Sequence, residues 1–174
     1  YTGCRHRVAG YLGHARAIPC SIVVVVDEWI DALSTDPVDQ FRVWFEAARD
    51  AGLPEPEAAA LATASADGTP SVRMVLVRRV DDRGFCFFTN RESRKADELE
   101  AAGRAALVFH WRPPLQQQVR VEGTVERLSD DESDSYFSTR DRGSRLGAWA
   151  SPQSRPLRDR DELDRRLAEV TEKF

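Results

Sequence analysis

Residues 72–90 read VRMVLVRRVDDRGFCFFTN, and the fold turns on how that stretch divides. Val72 to Val80 is β-branched and apolar, Asp81 to Gly84 is a turn, and Phe85 to Thr89 is aromatic-rich, which predicts two strands of a hairpin. Upstream, Ala58 to Ser65 is small and apolar, and Asp67-Gly68 between it and Val72 is a strong hairpin signal. Downstream, Ala105 to Trp111 and Gln117 to Leu128 read as two more strands flanking Pro113-Pro114. Five strands at short spacing predict a mainly β, α+β fold, a small antiparallel barrel with peripheral helices. No Gly-rich phosphate loop and no βαβ alternation occurs, so a Rossmann or P-loop arrangement is excluded.

Helices frame this strand set. Asp36 then Pro37 is an N-cap followed by proline at the first helical position, and Val38, Phe41, Phe45 and Ala48 recur at helical spacing until Gly52. Ser93 opens a short helix through Ala102, ended by Gly103. Ser129-Asp130-Asp131-Glu132 is a capping box leading a helix that carries Tyr136 and Phe137. A last amphipathic helix sets Leu163, Leu167, Val170 and Phe174 on one face. Residues 1–35 form an N-terminal segment with no assignment, in which Ser21 to Val26 reads either as a buried strand or as part of a helix. Residues 36–174 form the barrel domain with its C-terminal helix.

Composition narrows the class. The 174 residues are 41% hydrophobic and 31% charged, too apolar for a disordered chain and too charged for a membrane-embedded one. The longest apolar run, Ile22 to Val26, is far too short to span a bilayer. A net charge of -4 disfavours a general nucleic-acid binder. Cys4, Cys20 and Cys86 are odd in number and scattered, implying neither a disulfide framework nor a zinc site. The expectation is a soluble, cytoplasmic domain with no membrane or nucleic-acid partner. The chain opens at Tyr1 without an initiator Met, so a fragment is expected.

The catalytic inventory is thin. His6, His14 and His110 stand far apart with no ligand partner at metal spacing, and Cys86 inside an aromatic strand reads as an inert thiol. A barrel without an obvious acid, base or nucleophile suits a cofactor that carries the chemistry itself. The cations are more informative. Of 25 basic residues only Lys95 and Lys173 are lysine, and Arg94 and Lys95 follow Ser93 at a helix start, where cations normally avoid the positive end of the dipole. That placement fits an anion, and it also fits a solvated pair of charges. By strand parity Arg73 and Arg78 leave opposite faces. Tyr136, Arg140 and Ser144, at spacings of four, supply a phenol, a cation and a hydroxyl suited to a phosphate monoester if the helix continues past Gly143; an ordinary helix end with an Arg fits as well.

Six segments in order then resemble the pyridoxamine 5'-phosphate oxidase family of FMN-binding split β-barrels, over about Asp36 to Phe174. They are residues 73–78 (RMVLVR), 88–90 (FTN), 93–96 (SRKA), 118–123 (QVRVEG), Tyr136-Phe137 with Arg140, and 146–151 (LGAWAS) followed by Gln153-Ser154. The resemblance implies an FMN phosphate held by Arg73, Arg94 and Lys95, with Gln153 and Ser154 also on the cofactor. Met74, Val75, Leu76 and Val77, with Phe88 and Thr89, would lie along it, and Gln118 would hydrogen-bond it. Arg78, Tyr136, Arg140 and Ser144 would grip the substrate phosphate. It further implies a homodimer with the flavin site between subunits, no metal, and oxidation of pyridoxamine or pyridoxine 5'-phosphate to pyridoxal 5'-phosphate with oxygen as acceptor and hydrogen peroxide as product. A phenazine-type oxidase or flavin reductase of the same fold, or a non-catalytic FMN- or B6-phosphate-binding module, are the alternatives. The family has Lys where this chain has Arg78, and it continues beyond the position of Phe174 into an Arg-x-His segment, so binding is expected to outlast turnover in these residues.

Overall fold

Two-residue alternation decides which side chains of each strand turn inward, and the computed structural model, which describes residues 8–14 and 33–174, follows that rule closely. In β3 (Pro70–Asp81) Val75 and Val77 are buried while Met74 between them is 63% exposed. In β6 (Gln117–Arg127) Val119 and Val121 are buried and Gln118 and Arg120 face out. With β1 (Val8–His14), β2 (Ala58–Ala64), β4 (Gly84–Asn90) and β5 (Arg104–Trp111) they close an antiparallel barrel in the order β1-β4-β3-β2-β5-β6, β1 also pairing with β6. Five of these strands are those expected from the sequence. The sixth, β1, falls in the segment left unassigned, because its glycines and mixed residues carry no clean period; the remaining readings in residues 1–35, Ser21 to Val26 among them, lie outside the described residues.

Helix α1 (Pro37–Asp50) forms for local reasons and docks for global ones. The Asp36 carboxylate accepts from the Val38 and Asp39 amides at 2.7 and 3.3 Å, Pro37 takes the first turn, and Gly52 ends the run at a φ of +66°. Its face of Phe41, Trp44 and Ala48 is buried, and the Phe41 ring lies 4.8 Å from both Phe85 and Phe109 and 5.6 Å from Trp111. The Trp111 indole N–H is satisfied by the Pro56 carbonyl at 2.9 Å. Helix α2 (Arg94–Ala102) buries Ala96 and Leu99 in the same core and stops at Gly103, whose φ of +61° favours glycine.

One irregularity in β3 matters to the site. The pairing with β4 slips between Val77 and Arg79, a bulge that leaves Arg78 unpaired and sends two successive arginines away from the core. Arg78 reaches Glu57 at 3.2 Å, and Arg79 reaches Glu132 at 3.3 Å. Glu132 belongs to α3 (Asp130–Thr139), where Ser129 Oγ caps the Glu132 amide at 3.2 Å as the capping box predicts. Arg83 also donates to Glu132, at 2.9 Å, so one carboxylate ties the start of α3 to the β3–β4 hairpin.

The chain after α3 departs from expectation. The break falls at Arg140, which is extended (ψ 148°), and not at Gly143; Asp141 then caps a new helix, α4 (Arg142–Ala150), that contains Gly143. The acidic cap, not the glycine, sets the boundary, because a carboxylate accepting the Ser144 amide favours a fresh N-terminus there. Helix α5 (Arg160–Lys173) is the expected amphipathic helix, yet none of its residues is buried; Phe174 just beyond it lies 5.8 Å from the Trp149 ring. Cys86 is fully buried and burial pushes its thiol up to about 11, which makes it inert. Among the described residues no cluster could hold a metal, and no helix is long and apolar enough to cross a membrane.

The Glu132 tie has a pH signature. The Arg83 hydrogen bond, against burial and helped by Ser129 and Arg79, lowers the Glu132 carboxyl from 4.5 to about 2. A depressed carboxyl contributes stability above its unfolded value and loses it as pH falls through the folded one. Urea midpoints between pH 4.5 and 2 should therefore fall less steeply in Glu132→Gln than in the parent; equal slopes would show that the tie contributes nothing.

Candidate functional site

The outward residues of β3 open onto a cavity of about 780 Å³. Met74, Val75 and Leu76 form its apolar wall, with Phe88 and Thr89 from β4 beside them. Val77 does not join them: it is buried in the core and borders a separate hollow beneath α1. Arg78, freed by the bulge, reaches the same cavity while paired with Glu57.

Lys95 enters this cavity from α2. Only 7% exposed, its ammonium donates to Gln153 Oε1 at 2.8 Å and Ser93 Oγ at 3.4 Å, and Thr89 Oγ1 also donates to Gln153 at 3.4 Å. Burial first, then the Arg73 charge, push the Lys95 ammonium below the ordinary lysine range, with Glu98 opposing. A buried lysine beside a second cation is a natural partner for an anion. Ser93, although at the N-cap, makes no side-chain cap; its hydroxyl donates to the Asn90 carbonyl at 2.7 Å. The first-turn amides of α2 thus keep no side-chain acceptor, at the positive end of the helix dipole.

Behind Lys95 stands a carboxylate that sequence reasoning missed. Glu98 is 4% exposed, and its Oε2 accepts from Thr63 at 2.5 Å, Ser71 at 2.6 Å and Arg73 at 2.9 Å, while Oε1 accepts from Arg94 Nε at 2.7 Å. Burial alone would raise this carboxyl; the Ser71, Thr63, Arg94 and Arg73 hydrogen bonds outweigh it and bring the group to about 2. The signal was available as the i, i+4 spacing of Arg94 and Glu98. Arg73 is consequently turned from the cavity wall: both its terminal nitrogens are engaged, one by Thr63 and Leu61 and the other by Ser71 and Glu98. Arg94 also lies off the wall, but its terminal nitrogens have no protein partner among the described residues.

The second set lines the same cavity. Tyr136 stacks on Phe88 with centroids 3.7 Å apart and planes 10° from parallel. Arg140 sits at the break between α3 and α4, its guanidinium 5.9 Å from the Phe137 centroid. Ser144 lies in the first turn of α4, and Asp141, also on the wall and not anticipated, accepts the Ser144 amide at 2.8 Å. Tyr136, Arg140 and Ser144 are brought together as their spacing suggested, although by a helix break in place of one continuous helix. Two further expected residues, beyond Val77, Arg73 and Arg94, lie off the cavity wall in the single chain. Gln118 is opposite His110 on the outer face of the barrel, and Ser154 follows Gln153 in an exposed connection at a φ of +66°.

That outer face is unusual for a sheet. The register aligns Val72, Met74 and Leu76 of β3 with Ala62, Ala60 and Ala58 of β2, and these with Ala106 and Val108 of β5. No residue of this small apolar row is buried, and Val72 is 69% exposed.

Comparison with known proteins bears on the family and the fold. The family model for pyridoxamine 5'-phosphate oxidase matches residues 45–174. The pyridoxine/pyridoxamine 5'-phosphate oxidase of Cupriavidus taiwanensis is 58% identical over 142 residues, covering 82% of this chain and 66% of the relative. That of Rubrobacter xylanophilus is 56% identical over 144 residues, covering 83% and 66%. This chain therefore spans just under two thirds of the length of these relatives. Among solved structures, PhzG from Burkholderia lata 383, in complex with tetrahydrophenazine-1-carboxylic acid, is 33% identical with a TM-score of 0.79, over 88% of this chain and 75% of that one. An FMN-binding protein related to pyridoxamine 5'-phosphate oxidase from Nostoc punctiforme shares the fold, at 19% identity and a TM-score of 0.58 over 80% of this chain and 71% of that one. With a family model covering most of its length, this chain belongs to the pyridoxamine 5'-phosphate oxidase family.

Proposed function

We propose that this chain binds FMN and a B6 5'-phosphate in one cavity, as part of an oxidase that converts pyridoxamine or pyridoxine 5'-phosphate to pyridoxal 5'-phosphate with oxygen as acceptor. One observation carries the reading: a single cavity is lined both by buried Lys95 at a helix N-terminus and by Tyr136, Arg140 and Ser144 from a different part of the chain. Two separate sets of phosphate donors on one cavity suit two phosphorylated ligands.

The residues fit the cofactor. Uncapped first-turn amides, the Lys95 ammonium and the free terminal nitrogens of Arg94 form a donor set for a terminal phosphate, with Arg73 adding charge from behind. Gln153 fixes Lys95, and Met74, Val75, Leu76, Phe88 and Thr89 give an extended, largely apolar wall. FMN supplies, when bound, an acceptor for the electron pair that leaves the substrate. The chain's own work is to bind and orient: Arg140, Tyr136 and Ser144 hold the substrate phosphate, Arg78 adds a cation at the bulge, and the apolar wall excludes water. Asp141, the carboxylate on the wall, is held below its usual range by the Ser144 hydroxyl and amide and stays a positioning acceptor.

The reading includes a homodimer. The exposed row of Val72, Met74, Ala60, Ala62 and Val108 runs into the cavity wall at Met74 and Leu76, and it suits a second copy of the chain. Gln118, on the same outer face but outside its own cavity, is then available to the cofactor of the other copy. The resemblance to PhzG favours a second reading, a phenazine-type substrate; an aromatic acid without a phosphate would make little use of Tyr136, Arg140 and Ser144.

Three measurements test these assignments. A hydrogen bond to a charged group contributes about 1.5–3 kcal/mol, so replacing Arg94 and Lys95 together by Ala should weaken FMN by about a hundredfold or more and riboflavin by under about twofold. Equal losses would put the cofactor phosphate elsewhere. By the same scale Arg140→Ala should cost about tenfold to a hundredfold in pyridoxamine 5'-phosphate affinity, with FMN binding unchanged. Phosphorylated and unphosphorylated pyridoxamine binding alike would replace the B6-phosphate reading by the phenazine-type one. Sedimentation should give a dimer, and a monomer that binds FMN tightly would refute the shared site.

A further inference from the structure

Glu98 is the most heavily partnered buried carboxylate among the described residues, and packing alone does not require it. It lies at the junction of β2, β3 and α2, taking hydrogen bonds from Thr63, Ser71, Arg73 and Arg94. A buried carboxylate is costly to desolvate, and an apolar side chain of similar volume would fill the space without that cost. Its geometry is divided: Oε2 serves the two strands and Oε1 serves Arg94 alone.

We propose that Glu98 is a positioning residue for the cofactor phosphate, holding Arg73 and Arg94 on opposite carboxylate oxygens so that Arg94 presents both terminal nitrogens toward a phosphate monoester. The inference rests on the FMN reading given above. Three features support it. Arg94 is 58% exposed, and a free guanidinium at such a place loses rotamer freedom on binding; a tether through Nε orients its plane beforehand and leaves the bidentate edge open. Arg73, Arg94 and Lys95 with Glu98 carry a net charge of +2, which matches a phosphate dianion. Glu98 also opposes the burial and the Arg73 charge that lower the Lys95 ammonium.

The test measures FMN and riboflavin affinity by flavin fluorescence in the parent, Glu98→Gln, Glu98→Asp, Arg94→Ala and the Glu98→Gln, Arg94→Ala double variant. Glu98→Gln should weaken FMN about tenfold and riboflavin less than about twofold, and Glu98→Asp, which keeps the charge but shortens the reach, should do the same. In the Arg94→Ala background the cost of Glu98→Gln to FMN should shrink to a few-fold at most, because the two residues act as a unit. Where Glu98→Gln does not fold, Glu98→Asp alone decides. Parent-like FMN affinity in Glu98→Asp, equal losses for FMN and riboflavin, tighter FMN in Glu98→Gln, or additive losses in the double variant would each overturn the proposal. A parent that binds FMN and riboflavin alike would instead overturn the phosphate reading beneath it, a result distinct from variants that keep the parent's preference for FMN.

Discussion

Strand parity in β3 is the constraint on which the site depends. Because successive side chains alternate, Val75 and Val77 complete the core while Met74 and Leu76 stay outside as cavity wall and exposed row. The same alternation takes Ser71 and Arg73 to the inner side at the strand's beginning, under α2, where they meet Glu98. A one-residue slip would exchange these populations entirely. The bulge at Arg78 is the single relaxation, placed after the last core valine, where it delivers one arginine to the cavity and the next to Glu132.

The cations divide by what answers their charge. Arg73 is enclosed by hydroxyls and a carboxylate of its own chain, whereas Lys95 is buried with neutral partners and a depressed ammonium. In a low-dielectric setting such a lysine gains from an incoming anion, which favours the charged state that burial penalises. Arg140 differs again. It ends a helix in extended conformation with its guanidinium 5.9 Å from the Phe137 centroid, and the Asp141 cap directly after it fixes where the chain turns.

Much of this was legible in the residues. β-Branched runs and the Asp67-Gly68 turn located five strands; Asp36, Ser93 and Ser129 located three helix starts; two cations at a helix start pointed to Lys95. What escaped did so for physical reasons. Val8–His14 is held by pairing with β4 and β6, a tertiary cause that no local period records. Helix α4 contains two glycines, and propensity argues against it; its Asp141 cap and the burial of Leu146 and Ala150 decide otherwise. Glu98 was not singled out, because its partners on β2 and β3 lie 25 to 35 residues away. Val77, named with its neighbours by resemblance, is buried in the core and borders a separate hollow beneath α1.

The outer face of the barrel connects these threads. An antiparallel sheet that faces water carries polar side chains there, yet Val72, Met74 and the alanines of β2 offer no charge or polar group. Small side chains cover little water-exposed surface but permit close approach of a second flat surface, so their presence favours docking over solvation. Charged residues return at Arg104 on β5 and on β6, with Arg120 and Glu122 in a mutual ion pair and Gln118 beside them. Apolar centre and polar border are the ordinary plan of a protein interface. Because the apolar row ends at Met74 and Leu76, a partner seated on it would close the same cavity whose inner wall those residues supply. The parity that builds the core therefore also presents an assembly surface and a ligand wall on one strand face.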